Sequence, residues 1–63
     1  MWVLKRKEDG LYVTKTEFRE VTGNSYTKSI LNAKKYSTEA EAIADSCVEN
    51  EVPVQIDPYD YFK

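Results

Sequence analysis

Hydrophobic and polar residues change their spacing twice along this chain, and each change predicts an element. Over Trp2-Val3-Leu4-Lys5-Arg6 the pattern suits a strand, with Trp2, Leu4 and Arg6 on one face and Val3 and Lys5 on the other. Glu8-Asp9-Gly10 is a turn signal, and Leu11-Tyr12-Val13-Thr14 opens a second strand rich in β-formers. The register follows from matching faces. A four-residue loop, Lys7 to Gly10, pairs Arg6 with Leu11 and Leu4 with Val13, so that Trp2, Leu4, Leu11 and Val13 share one face. A two-residue Asp9-Gly10 loop would put Lys15 opposite Leu4 and mix charge into that face, so the longer loop is preferred.

The segment from Thr16 to Tyr36 is less regular. Phe18 and Val21 have opposite parity, which a strand accommodates only with a bulge or with burial on both faces. Gly23-Asn24-Ser25 marks another turn. Ser25 to Leu31 then reads as a third strand; the alternative is a short helical turn capped by Thr27, with Ile30 and Leu31 on one side.

The period lengthens after Tyr36. Thr38-Glu39-Ala40-Glu41 fits a capping box, in which the Thr38 hydroxyl and the Glu41 carboxylate each satisfy an orphan N–H. Ala40, Ile43, Ala44, Cys47 and Val48 follow at i, i+3, i+4, i+7 and i+8, an apolar stripe of helical period. With Asn50 and Pro53 as stop signals, this predicts a helix over about 38–50 whose stripe lies on the sheet. Val52-Pro53-Val54-Gln55-Ile56 alternates as a short strand, and Pro53, lacking an N–H, places it at an edge. The expected fold is α+β: a small antiparallel sheet with one amphipathic helix packed on one face, forming a single domain over residues 1–63, with residues 57–63 either a free tail or folded back so that Tyr59, Tyr61 or Phe62 enlarges the core.

Composition narrows the function. Sixty-three residues suffice for one small core. The lone Cys47 excludes an internal disulfide, and with no histidine an ordinary zinc site lacks its ligands. Aromatics at 13%, including five Tyr, suit a folded chain over a disordered one. No apolar run approaches the ~20 residues of a membrane span, and the N-terminal charges follow rather than precede a short apolar stretch, the reverse of a signal peptide. A cytoplasmic location is expected.

Asn32-Ala33-Lys34-Lys35-Tyr36-Ser37-Thr38-Glu39-Ala40-Glu41-Ala42, preceded by the Trp-Val-Leu-Lys opening and the Gly-Leu-Tyr-Val turn and strand, resembles many small phage- and prophage-encoded accessory proteins. In those a hairpin precedes such a helix start and a Val-Pro-Val-like strand follows. The resemblance spans most of the chain. It implies a ββ-α-β type fold and a viral accessory role, and it carries no catalytic residue across.

The search for chemistry points the same way. Cys47 has no histidine to activate it, and its place on the stripe predicts a quiet core thiol. Glu39, Glu41, Asp45, Glu49 and Glu51 are expected on a solvated face, where carboxylates keep ordinary pKa values. Gly10 and Gly23 are too few for a phosphate loop. Neither enzyme activity nor a cofactor is expected.

Charge is uneven. Residues 1–31 hold six Lys/Arg against four Asp/Glu, whereas residues 32–63 hold three against seven. A net charge of −2 argues against a phosphate-backbone binder. The candidate contact surface is the line Glu41, Asp45, Glu49 together with the acidic-aromatic tail Asp57, Tyr59, Asp60, Tyr61, Phe62. The expected partner is a basic surface on a host or viral protein, as for a host-takeover or anti-defence inhibitor. The alternative is a homodimeric structural module, with single-stranded nucleic acid third.

Overall fold

The computed structural model describes residues 1–57. Its four-stranded antiparallel sheet has the order β3-β2-β1-β4, built from β1 (Trp2–Arg6), β2 (Tyr12–Val13), β3 (Tyr26–Thr27) and β4 (Glu51–Gln55). Two short helices, α1 (Thr16–Thr22) and α2 (Glu39–Asp45), and a 3₁₀ turn (Ile30–Asn32) complete the small α+β fold. Among the described residues no helix is long and apolar enough to cross a membrane.

The β1–β2 register is the one the facial pattern requires. Lys5 pairs with Tyr12, and the Arg6 N–H donates to the Leu11 carbonyl across the Lys7–Gly10 loop. Gly10 sits at φ 73°, a conformation that glycine adopts without strain. Asp9 closes the loop by pairing with Arg6 and accepting the Leu11 N–H at 3.2 Å. Beyond Tyr12 the hairpin splays, and residues 33–36 cross its open end: Tyr36 exchanges both backbone hydrogen bonds with Trp2, and the Lys34 N–H donates to Val13.

β1 is the central strand and is buried on both sides. Leu4 packs with Val13, Tyr36 and Ala42 on the α2 side, flanked by Trp2 and Tyr26. Val3 packs with Ala33 and Ile56 on the other side, beside Tyr12, Ile30 and Val54. Val3 and Leu4 are both fully buried, and each is worth about 1.5–3 kcal/mol by burial alone. β4 flanks β1 with Leu4 opposite Pro53 and Arg6 opposite Glu51. As the missing N–H of Pro53 requires, β4 is an edge strand.

Three expectations need correction. Residues 16–22 form a helix, not a bulged strand: the opposite parity of Phe18 and Val21 is helical i, i+3 spacing. The helix closes on Gly23 at φ 76°, whose N–H donates to Arg19, and none of its residues is buried. At residues 25–31 both readings occur in shortened form. A two-residue strand is followed by the 3₁₀ turn, which leaves Ile30 half-buried and Leu31 exposed, so these two do not share a side. The Thr27 hydroxyl accepts the Ser29 N–H at 3.1 Å, just ahead of that turn.

The third correction concerns α2. It begins with the first half of the capping box, the Thr38 hydroxyl accepting the Glu41 N–H at 3.2 Å, while the Glu41 carboxylate reaches one residue further back and accepts the Ser37 N–H at 3.2 Å in place of that of Thr38. It stops at Asp45, however, not at Asn50, and only Ala42 is buried. Ala40, Ile43, Ala44, Cys47 and Val48, the expected buried stripe, are all exposed. The end of the helix has a local cause. A further turn would send the Cys47 N–H to Ile43, but that N–H donates to the Glu51 carboxylate at 2.9 Å, while Ile43 accepts the Ser46 backbone and hydroxyl instead. The rotation has another. Tyr36 and Lys34 both hold the Asp45 carboxylate, and Asp45 lies one turn from Ala42, so the Ala42 and Asp45 side turns toward the sheet.

Candidate functional site

α2 presents Ala40, Ile43 and Ala44 to solvent, with Ile43 43% exposed. The turn that follows adds Cys47 and Val48, the latter 64% exposed. The spacing i, i+3, i+4 puts the three helical residues on one face, and exposed Glu39 and Glu41 on the same helix supply negative charge nearby. This leaves an apolar helix face in water beside carboxylates.

The predicted acidic line is taken apart by this geometry. Glu41 is exposed, and its carboxylate accepts the Ser37 N–H just ahead of the helix. Asp45 belongs to a clasp: Lys34 Nζ lies 2.9 Å from its carboxylate, the Tyr36 hydroxyl donates to the same oxygen, and Lys34 also rests 5.4 Å from the centre of the Tyr36 ring. The Tyr36 and Lys34 hydrogen bonds hold the Asp45 carboxyl below its ordinary range against a smaller opposing effect of burial. Burial first, and the Asp45 hydrogen bond second, push the Tyr36 hydroxyl well above that of a free tyrosine. Glu49 lies beyond the helix, so the i, i+4, i+8 line is not continuous. Asp57 is exposed after Ile56, while Tyr59, Asp60, Tyr61 and Phe62 lie outside the described residues.

Linkage gives the clasp a pH signature. A depressed folded-state pKa means that Asp45 contributes stability above the ordinary carboxylate range and loses it as pH falls through the folded value. Asp45→Asn is therefore expected to lower the urea midpoint at pH 7, with the deficit closing in acid. A constant deficit from pH 7 into the acid range would show that the clasp carries no charge-dependent stability.

A second carboxylate is more deeply placed than expected. Glu51 is only 8% exposed, accepting the Tyr26 hydroxyl and the Cys47 N–H, and Arg6 stacks 4.1 Å from the centre of the Tyr26 ring. The Glu51 hydrogen bond, ahead of burial, raises the Tyr26 pKa. Glu51 thus joins β4, β3 and the turn after α2. Beside it lies a cleft of about 510 Å³ lined by Arg6, Lys7, Glu8, Tyr26, Glu49 and Asn50. The cations of this cleft are already engaged, Arg6 by Asp9 and Lys7 by the Val48 carbonyl at 3.1 Å. It therefore presents balanced charge and no activated nucleophile, and Cys47, exposed rather than buried, receives a hydrogen bond from the Asn50 amide at 3.3 Å.

The opposite face of the sheet is basic. Lys5 shares it with Val3 and lies 5.7 Å from the centre of the Tyr12 ring, and Lys35 donates to the carbonyls of Ile30 and Ala33. Burial, and secondarily the charge of Lys15, lower the Lys35 pKa. No strand or 3₁₀ residue of this face among the described residues is a carboxylate. Periodicity thus assigned Ala40, Ile43 and Ala44 to the core although they are exposed. The one sequence signal for their exposure was that a stripe with Ala at Ala40 and Ala44 carries little apolar volume. No protein family, curated protein or solved structure matches this chain.

Proposed function

We propose that this chain is a non-catalytic protein-binding module, of the accessory kind that small phage- and prophage-encoded proteins represent, and that it docks on a host or viral protein through the outer face of α2. The observation that carries the reading is the rotation of α2: it hides Ala42 and leaves Ala40, Ile43 and Ala44 in water. The carboxylates of Glu39 and Glu41 suit a partner whose apolar patch is rimmed by Lys or Arg. The acidic line of the sequence reading is replaced by an apolar centre with an acidic rim.

Pairing through a sheet edge is disfavoured. Lys7 donates to Asn50 and Met1 accepts from Ile56, so alternation points the N–H groups of Val52 and Val54 at β1 and those of Glu51 and Gln55 outward. The Glu51 N–H is already bonded to Cys47, and Pro53 has none. The opposite edge, β3, is two residues long. Neither offers a backbone template for a twin.

The test is capture from bacterial lysate by immobilised wild type, Ile43→Arg and Val21→Arg, the last on exposed α1. Replacing a central anchor typically costs 2 kcal/mol or more, roughly a thirtyfold loss of affinity. Ile43→Arg is expected to lose the captured protein while Val21→Arg keeps it. Equal capture by both variants would remove α2 as the docking face.

A further inference from the structure

We infer that α2 is a two-position helix with Ser46 as its hinge: two polar latches hold its outer face in water, and their release lengthens the helix and turns that face onto the chain's own sheet. The inference rests on the reading of α2 as a docking surface and names how that surface is regulated. The interruption of the helix is one residue long. Ser46 stands at φ −84° and ψ 153°, extended backbone between α2 and a turn that already bonds as a helix does. In that turn the Cys47 carbonyl accepts the Asn50 and Glu51 N–H groups, each at 2.8 Å. Bringing the Ser46 ψ to about −42° would run α2 on into the turn and realise the span that Asn50 and Pro53 define.

Both latches are carboxylates. Glu51 takes the Cys47 N–H at 2.9 Å, the donor that a continued helix would send to Ile43. Asp45, held by Lys34 at 2.9 Å and by the Tyr36 hydroxyl, fixes which side meets the sheet. Against them stands the stripe Ala40, Ile43, Ala44, Cys47 and Val48. At 3.6 residues per turn it lies about half a turn round the helix from Ala42 and Asp45. With the stripe inward, Asp45 and Glu49 face water while Ile43, Cys47 and Val48 leave it. The second position exchanges polar bonds for apolar burial, and because α2 now buries only Ala42 the two compete. Turning covers the docking face, so affinity for a partner falls with the fraction of molecules still latched.

Cys47 reports the position, since it is exposed now and lies on the covered stripe after the turn. In the full chain, Asp45→Ala with Glu51→Val removes both latches and places no poor former in either the helix or the strand. This double variant is expected to show helical Cα chemical shifts over residues 46–50. Its thiol then reacts only through the minor open position, at least about tenfold more slowly with an aromatic disulfide reagent than that of wild type. Glu51→Val alone frees the Cys47 N–H but keeps the Asp45 clasp, so it should give the helical shifts with Cys47 as reactive as in wild type. Helical shifts missing from both variants overturn the inference, as does a double variant, folded or unfolded, whose Cys47 reacts as fast as wild type. Neither readout involves a partner, so the switch can fail while Ile43-dependent capture stands, and capture can lose its dependence on Ile43 while the switch holds.

Discussion

Leu4→Ala is expected to leave much of the protein unfolded at room temperature. Leu4 is fully buried among Val13, Tyr36 and Ala42, and such truncations cost about 2–5 kcal/mol through lost transfer energy and the cavity left behind. A single core of this size supplies roughly 3–5 kcal/mol in all, with no disulfide to add to it. The neighbours cannot readily collapse into the space. Tyr36 is fixed by its hydrogen bond to Asp45 and by its two backbone bonds to Trp2, and Ala42 is fixed by the capped helix. Urea unfolding followed by Trp2 fluorescence reads the loss, since Trp2 packs on this cluster. Leu4→Met, which keeps the volume, should cost less than about 1.5 kcal/mol. A Leu4→Ala protein within 1 kcal/mol of wild type, by the usual scale of core truncation, would mean the cluster does not hold the fold.

The hairpin was legible because two constraints agree on it. Facial matching and the loop Lys7–Gly10 select one register, and a slip would carry Lys15 into the core. The Thr38 cap and the edge position of Pro53 were legible because each is local: a hydroxyl three residues before an N–H, and a missing donor. α1 was not legible as a helix because its one apolar pair, Phe18 and Val21, reads equally as a bulged strand, and its Gly23 cap looks the same in sequence as a turn glycine. The 3₁₀ turn gave no signal of covering Val3, since that contact depends on Ala33 being brought back across the hairpin by the Thr14 bridge.

The candidate site was misread for a physical reason. Periodicity identifies that Ala40, Ile43 and Ala44 share a face, but not which way the face turns. That choice was made by polar groups distant in sequence. Tyr36 and Lys34 anchor Asp45, and Glu51 takes the N–H that would have prolonged the helix through Cys47. A short helix with one buried alanine yields to such anchors because little apolar burial opposes them.

The direction in which α2 faces is therefore the claim on which the functional reading depends, and Ala42→Leu measured against Ala44→Leu tests it most directly. Both substitutions add the same atoms with similar helix propensity, so propensity cancels between them. Ala42 is fully buried and Ala44 exposed. Chemical denaturation should show Ala42→Leu destabilised by about 1–3 kcal/mol through overpacking and Ala44→Leu within about 0.5 kcal/mol of wild type. The reverse order, with Ala44→Leu damaging and Ala42→Leu tolerated, would put the apolar stripe back against the sheet and leave no docking face on α2.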